Sequence, residues 1–213
     1  MKPIVFLGPS CPRHVAEGVG DIALRPPATR GDLVAASDAG GQTVVLIDGE
    51  MVHGYAPSPS EILGILRRGV RVLGAASLGA LRAVELRAHG MEGLGWVYDA
   101  YLNGRLAGDD EVVSLLFPET FSPLTVPLVR LRYAVDRLAN LHELDAAAGA
   151  AALRELKSLH YEDRSPQRVE SALARAGISP TLRSRLSSAE FDIKRIDAVA
   201  CIRAATADRG ARA

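Results

Sequence analysis

The chain has 213 residues, 48% of them hydrophobic, and a formal net charge of zero. That length and apolar content suffice for a packed core and argue against global disorder. Charge neutrality removes the electrostatic reason to expect nucleic-acid or acidic-membrane binding. Two cysteines, Cys11 and Cys201, are too few for a disulfide framework, no Cys/His set has metal-ligand spacing, and no apolar run has membrane-spanning length. The start is too soon interrupted for a signal peptide, so a cytoplasmic, soluble protein is expected. Only three lysines occur, Lys2, Lys157 and Lys194, so lysine-dependent chemistry has three candidates.

Residues 3–7 form an apolar run that ends in Gly8-Pro9-Ser10, the pattern of a buried strand followed by a glycine loop. A weak helix is expected over 13–20, an irregular stretch around Pro26-Pro27, and a helix over 32–39. A second apolar run, from Thr43, ends in Asp48-Gly49, and a loop is expected over 50–58. Ser58-Pro59-Ser60-Glu61 opens a helix through Arg68: Ser58 caps it, Pro59 takes the first helical position and Glu61 completes a capping box. Gly69 closes it, and residues 70–74 are the third strand. Ser77 then stands at a tight turn before helically spaced Leu78, Leu81, Arg82, Glu85 and Leu86.

This βαβαβα order predicts an α/β fold with a small parallel sheet, whose strand ends bring Gly8-Pro9-Ser10, Asp48-Gly49 and Ser77 to one edge. Past Gly90 the pattern becomes helical: 93–103, 128–138, 144–159, 168–176 and 191–205, with an acidic turn at Gly108-Asp109-Asp110-Glu111 and a proline-bearing loop over 118–125. A single domain is expected, with an α/β core over 1–92, a helical part over 93–205 packed back on it, and a frayed tail over 206–213.

The turn before Ser77 resembles a nucleophile elbow in its mechanics, although Ala75 stands where the usual first glycine would. A serine there meets helix N-terminal N–H groups that stabilise an oxyanion, or it is simply a helix cap. Gly74 and Gly79 permit close backbone approach.

Several blocks together resemble TfuA-like proteins. They are Val-Phe-Leu-Gly-Pro-Ser over 5–10, Pro-Pro-Ala-Thr-Arg-Gly-Asp-Leu over 26–33, Leu-Ile-Asp-Gly over 46–49, Gly-Ala-Ala-Ser-Leu-Gly-Ala-Leu-Arg-Ala over 74–83, Gly-Asp-Asp-Glu-Val over 108–112, Leu-Val-Arg-Leu-Arg over 128–132 and Lys-Arg-Ile-Asp-Ala over 194–198. The resemblance implies a partner of a YcaO enzyme in peptide backbone thioamidation. It implies a Ser–Lys hydrolase that releases sulfide from the terminal thiocarboxylate of a ThiS-type sulfur carrier. It also implies binding to the YcaO enzyme and, through it, to the peptide substrate. The nucleophile falls on Ser77 and the lysine on Lys194, with no metal and no cofactor. Where many members have His-Lys before Glu61, this chain has Pro59-Ser60, so no role for that histidine carries over. The alternative is a non-catalytic adaptor that recruits the enzyme and its peptide.

Each site residue has a plainer reading beside the functional one. Lys194 is the base or a solvated helix lysine. Ser10 and Gly49 support the strand-end cleft. Asp48 orients Lys194, binds a polar ligand or only forms an Asp-Gly turn. Arg82 holds a carboxylate of the carrier or pairs with Glu85. Asp109, Asp110 and Glu111 are read as helix-terminal or surface charges rather than metal ligands. Cys11 is read as buried and inert. Trp96, Tyr98 and Tyr101 divide between core and interface. His14, His53, His89, His142 and His160 share no spacing and receive no role. A Ser–Lys pair requires the last helix to fold back on the sheet edge, and Phe191, Ile196 and Val199 are its expected docking residues.

Overall fold

The computed structural model describes residues 1–51, 55–117 and 119–207. His53, Pro118 and residues 208–213 of the expected tail lie outside the described residues. In chain order the elements are β1 (Ile4–Phe6), α1 (Arg13–Glu17), β2 (Ala23–Arg25), α2 (Asp32–Asp38), β3 (Thr43–Leu46), α3 (Pro59–Arg67), β4 (Arg71–Ala75), α4 (Leu78–Leu86), β5 (Glu92–Leu94) and α5 (Trp96–Leu102). They continue with α6 (Leu128–Asn140), α7 (Ala146–Lys157), α8 (Pro166–Arg175), α9 (Pro180–Leu186) and α10 (Ile193–Thr206). The fold is α/β, with a parallel sheet in the N-terminal half and a mostly helical C-terminal half.

The chain divides into two compact units. The first comprises residues 1–107 and the chain from Lys194 onward; the second comprises Gly108–Ile193. The sheet unit therefore extends past residue 92, because β5 and α5 belong to it, and it takes back α10. Thr206, expected to open the tail, is the last residue of that helix.

The first unit is a five-stranded parallel sheet in the order β2-β1-β3-β4-β5. β1, β3 and β4 are the three strands expected from sequence; β2 and β5 are short additions at the two edges. Ladder pairs Val5↔Val45 and Val45↔Leu73 set the central register. Side chains alternate across the pleat. Val5, Val45 and Leu73 pack on one face with Ala16 of α1 and with Ala198, Cys201, Ile202 and Ala205 of α10. Phe6, Val44, Leu46 and Val72 pack on the other with Leu33 of α2, Ile62 and Ile65 of α3 and Ala83 of α4. Both faces are covered, which is why the central strands read as continuous apolar runs.

The expected capping box forms. Ser58 Oγ accepts the Glu61 N–H at 3.2 Å and Glu61 Oε2 accepts the Ser58 N–H at 3.3 Å.

α10 docks as expected, but through other residues. From Lys194 onward its buried positions are Lys194, Asp197, Ala198, Cys201, Ile202 and Ala205, spaced i, i+3, i+4, i+7, i+8 and i+11. Ile196 is 39% exposed, Val199 is only partly buried, and Phe191 belongs to the core of the second unit. The small side chains at Ala198, Cys201 and Ala205 let the helix axis approach the sheet, which a Phe or Ile stripe would hold off.

The second unit is a helical cluster. Leu131, Val135 and Leu138 of α6 pack with Ala152 and Leu156 of α7, Val169 and Leu173 of α8, Leu186 of α9 and Phe191. Its acidic turn is a single 3-10 turn, Asp109–Glu111, with Asp109 exposed and Glu111 buried. Glu111 is buried and takes a two-point contact from Arg132 at 2.6 and 3.2 Å. Arg164, 1% exposed, donates to Asp110 Oδ2 at 2.7 Å, to the Asp110 carbonyl at 2.7 Å and to the Leu159 carbonyl at 3.1 Å.

Candidate functional site

Three adjacent strands, β1, β3 and β4, end side by side. Leu46 pairs with Phe6 on one side and Gly74 on the other. Counting two residues past those pairs brings Gly8, Asp48 and Ala76 to the same edge.

Ser77 is the N-cap residue of α4 and is 4% exposed. Its side chain makes no cap hydrogen bond, so the cap reading is not what holds it. Among the described residues its hydroxyl has no hydrogen-bond partner, Lys194 included. The backbone is bent sharply before it. The Ser77 N–H donates to the Ala75 carbonyl at 2.7 Å, and Ala76 between them has φ of 65°. This is a γ-turn of positive φ, a conformation that costs a non-glycine residue about 1–2 kcal/mol. Strain at the residue before a serine is one way an elbow presents a nucleophile.

The amides beyond the turn are mostly claimed. Gly79 N–H donates to Ile47 O at 3.3 Å, and Ala80 N–H to Ser77 O at 3.0 Å. The Leu78 N–H, directly after the serine, has no acceptor among the described residues. An N–H there is the position from which a donor meets an oxyanion formed on the serine.

Gly79 is required by geometry. A Cβ there would lie 2.7 Å from the Leu46 carbonyl carbon and closer still to its oxygen. Gly49 is similar: an added Cβ would meet the Ala28 carbonyl oxygen at 3.1 Å and Leu78 closer still. The two glycines thus seat the start of α4 on the end of β3.

Asp48 is 3% exposed and organises the edge. Its Oδ2 accepts the N–H groups of Gly8 at 2.8 Å and Ser10 at 3.0 Å, and its Oδ1 accepts the Ser10 hydroxyl at 2.6 Å. Lys194 Nζ stands 4.0 Å from the same Oδ1, and both side chains are 4% exposed. Of the three lysines, Lys194 alone is buried: Lys2 pairs with Asp21 at the other end of the sheet and Lys157 is exposed.

Arg82 pairs with Glu85 here. It donates to both oxygens of Glu85 at 3.0 and 2.8 Å and to the Pro57 carbonyl at 2.8 Å. Cys11 is buried and its thiol faces the Pro12 carbonyl. Tyr98 packs against the core beside α3 and α4, while the Arg105 guanidinium sits 5.2 Å from the centre of the Trp96 ring. Among the described residues no group of three His, Cys, Asp or Glu side chains is placed to hold a metal ion. No described helix is long and apolar enough to cross a membrane.

One residue of this neighbourhood has no counterpart in the sequence reading. Asp197, 2% exposed, accepts the N–H groups of Trp96 at 3.0 Å and Val97 at 2.8 Å, the first turn of α5. Burial pushes its carboxyl up to about 7, against the opposing pull of those two N–H groups. The signal was its spacing from Lys194, Ala198 and Cys201 on one helical face.

A family model described as TfuA-like protein matches residues 48–165, more than half of the chain. The match contains Asp48, Gly49, Ser77, Gly79, Arg82 and Glu85; Ser10 and Lys194 lie outside it. No curated protein matches the chain.

Proposed function

Since this chain belongs to the TfuA-like family, whose members are generally associated with YcaO enzymes, we propose that it hydrolyses the terminal thiocarboxylate of a ThiS-type carrier protein and supplies the sulfide to peptide thioamidation. The observation that carries this reading is Ser77: a serine on a strained turn whose hydroxyl has no hydrogen-bond partner, and whose following N–H has no acceptor, among the described residues, at the strand edge that also holds a buried lysine.

The chemistry follows from acyl transfer. Ser77 Oγ attacks the thiocarboxylate carbon of the carrier's last residue, and its proton passes to Lys194, which acts as the neutral amine. The Leu78 N–H faces the negative charge that develops on the former carbonyl oxygen. The carbon–sulfur bond breaks, and sulfur leaves as hydrosulfide with the proton returned by Lys194. Water then attacks the Ser77 ester by the same route, freeing the carrier carboxylate. In this scheme Asp48 holds Lys194 and the Gly8-Pro9-Ser10 loop together, and Gly49 and Gly79 keep the approach narrow. Hydrogen bonds of this kind tighten when substrate binds, which accounts for a serine and a lysine that share an edge without a bond between them.

The adaptor reading has one observation of its own. Leu116 and Pro123 form an antiparallel bridge, and the exposed Phe117, Phe121 and Leu124 lie around it, a patch of the type used for protein contact. The discriminating experiment is Ser77→Ala and Lys194→Arg, each assayed for sulfide release from thiocarboxylated carrier and, separately, for binding to the YcaO enzyme. Hydrolysis should fall by about 10³-fold or more in both with binding kept. Unchanged hydrolysis in either variant sinks the dyad, and absence of any hydrolysis by the wild type leaves the adaptor.

A further inference from the structure

α10 carries two charged side chains on its buried stripe, and only one of them belongs to the site described so far. Lys194 and Asp197 are one helical turn apart, at the end of the helix nearest the strand edge. A buried carboxylate is expensive unless it is bonded, and Asp197 is bonded at two points, to the Trp96 and Val97 N–H groups. Those two amides belong to the opening turn of α5, where no intrahelical acceptor exists for them. The contact joins residues about 100 positions apart in sequence.

The space around the carboxylate is closed as well. Gly95, with φ of 92°, precedes α5, and a Cβ there would lie 2.7 Å from Asp197 Oδ2 and nearer to its other atoms. The glycine lets the carboxylate come down onto the helix start. At the far end of α10, Arg71 donates to the Ala204 carbonyl at 3.2 Å while held by Glu92 at 2.7 and 2.8 Å. Between these two ends the helix offers the sheet mainly small residues, Ala198, Cys201 and Ala205, which permit sliding and rotation more readily than interlocked large side chains do. Directional bonds must therefore set the axial position and rotation of its first turn.

We propose that Asp197 is the positioning residue for Lys194: by seating on the first amides of α5 it fixes the opening turn of α10 and so places the Lys194 amine at Asp48. This rests on the hydrolase reading for its catalytic meaning, though not for its geometry. Asp197 touches neither Ser77 nor the reacting atoms in this scheme; it acts through the helix.

The three lysines make the test internal to the protein. Full-length wild type, Asp197→Asn and Asp197→Ala are treated briefly with acetic anhydride at pH 8, and acetylation of each lysine is quantified by mass spectrometry. Lys157 and Lys2 are exposed and serve as references. The Lys194-to-Lys157 ratio should rise roughly fivefold or more in Asp197→Ala and by less in Asp197→Asn, whose amide oxygen can still accept one N–H. The Lys2-to-Lys157 ratio should stay constant in both. A wild-type Lys194 ratio in either variant that melts cooperatively overturns the proposal; if the alanine variant fails to fold, the asparagine variant decides. With thiocarboxylated carrier, kcat should fall in these variants while KM holds. A changed labelling ratio in a protein whose wild type shows no hydrolysis would sink the hydrolase reading and leave the positioning role standing.

Discussion

Gly79→Ala tests whether α4 truly rests on the end of β3. The added methyl would stand 2.7 Å from the Leu46 carbonyl carbon, against a comfortable separation of roughly 3.5–4.0 Å between carbons. The first turn of α4 must then lift by about 1 Å. That movement strains or breaks the 3.3 Å bond from the Gly79 N–H to Ile47 O. Overpacking of this kind costs about 1–3 kcal/mol and the lost bond about 1 kcal/mol, offset by about 1 kcal/mol of helix propensity. The net loss is about 1–3 kcal/mol. Gly64→Ala is the matched control: it lies within α3 with nothing within 4 Å of an added Cβ, so it should gain up to about 1 kcal/mol. For a chain of this size the two variants should melt roughly 2–16 °C apart by circular dichroism, Gly79→Ala the lower. Because Ser77 sits at the start of the displaced turn, Gly79→Ala should also lose about 10²-fold in sulfide release, the penalty for a 1 Å misplacement. If Gly79→Ala melts with Gly64→Ala, the close approach of helix and strand is wrong, and so is the seat proposed for Ser77.

Two further outcomes follow from buried charges. Arg164→Ala in the second unit removes donors to two carbonyls and to Asp110, so urea denaturation should show a loss of about 3 kcal/mol; a loss under about 0.5 kcal/mol would mean the guanidinium does not organise that turn. Asp197 should impose a pH dependence of definite sign. Burial raises its folded carboxyl to about 7 from 3.8, so between those values the folded state holds a proton that the unfolded state has released. Its contribution is full below about pH 4 and is lost as pH rises through about 7, on the order of 4 kcal/mol across the window. The melting temperature of Asp197→Asn minus that of wild type should therefore climb from pH 4.5 to 7.5, and a flat difference refutes the shift.

Much of the edge was readable because its parts are local. The strands β1, β3 and β4 are apolar runs cut off by Gly8, Asp48-Gly49 and the small residues before Ser77, and sheet order then makes them neighbours. The edge strands were not readable: Ala23–Arg25 and Glu92–Leu94 are three residues long, partly exposed and without an apolar run. α9 was missed although Ser179-Pro180 repeats the signal used correctly at Ser58-Pro59, and Ser179 Oγ accepts the Leu182 N–H as Ser58 does for Glu61. The docking face of α10 was misjudged because Lys194 and Asp197 occupy positions that hydrophobicity assigns to solvent. No local pattern encodes the bonds of Asp48 to Ser10 or of Asp197 to α5, since each joins partners 38 or more residues apart.

The return of α10 to the sheet has a consequence on the ribosome. Every strand of the sheet has emerged by Leu94, yet the helix that covers one of its faces follows the whole of residues 108–193. At 5–20 residues per second that interval lasts roughly 4–17 s. Throughout it Val5, Val45 and Leu73 lack the Cys201 and Ile202 side of their core, the first amides of α5 lack Asp197, and Asp48 faces no lysine. A nascent chain thus carries Ser77 long before Lys194 exists. Under the proposed chemistry, hydrolysis is withheld until synthesis has passed the final helix, and the same interval is when the bare sheet face most needs a chaperone.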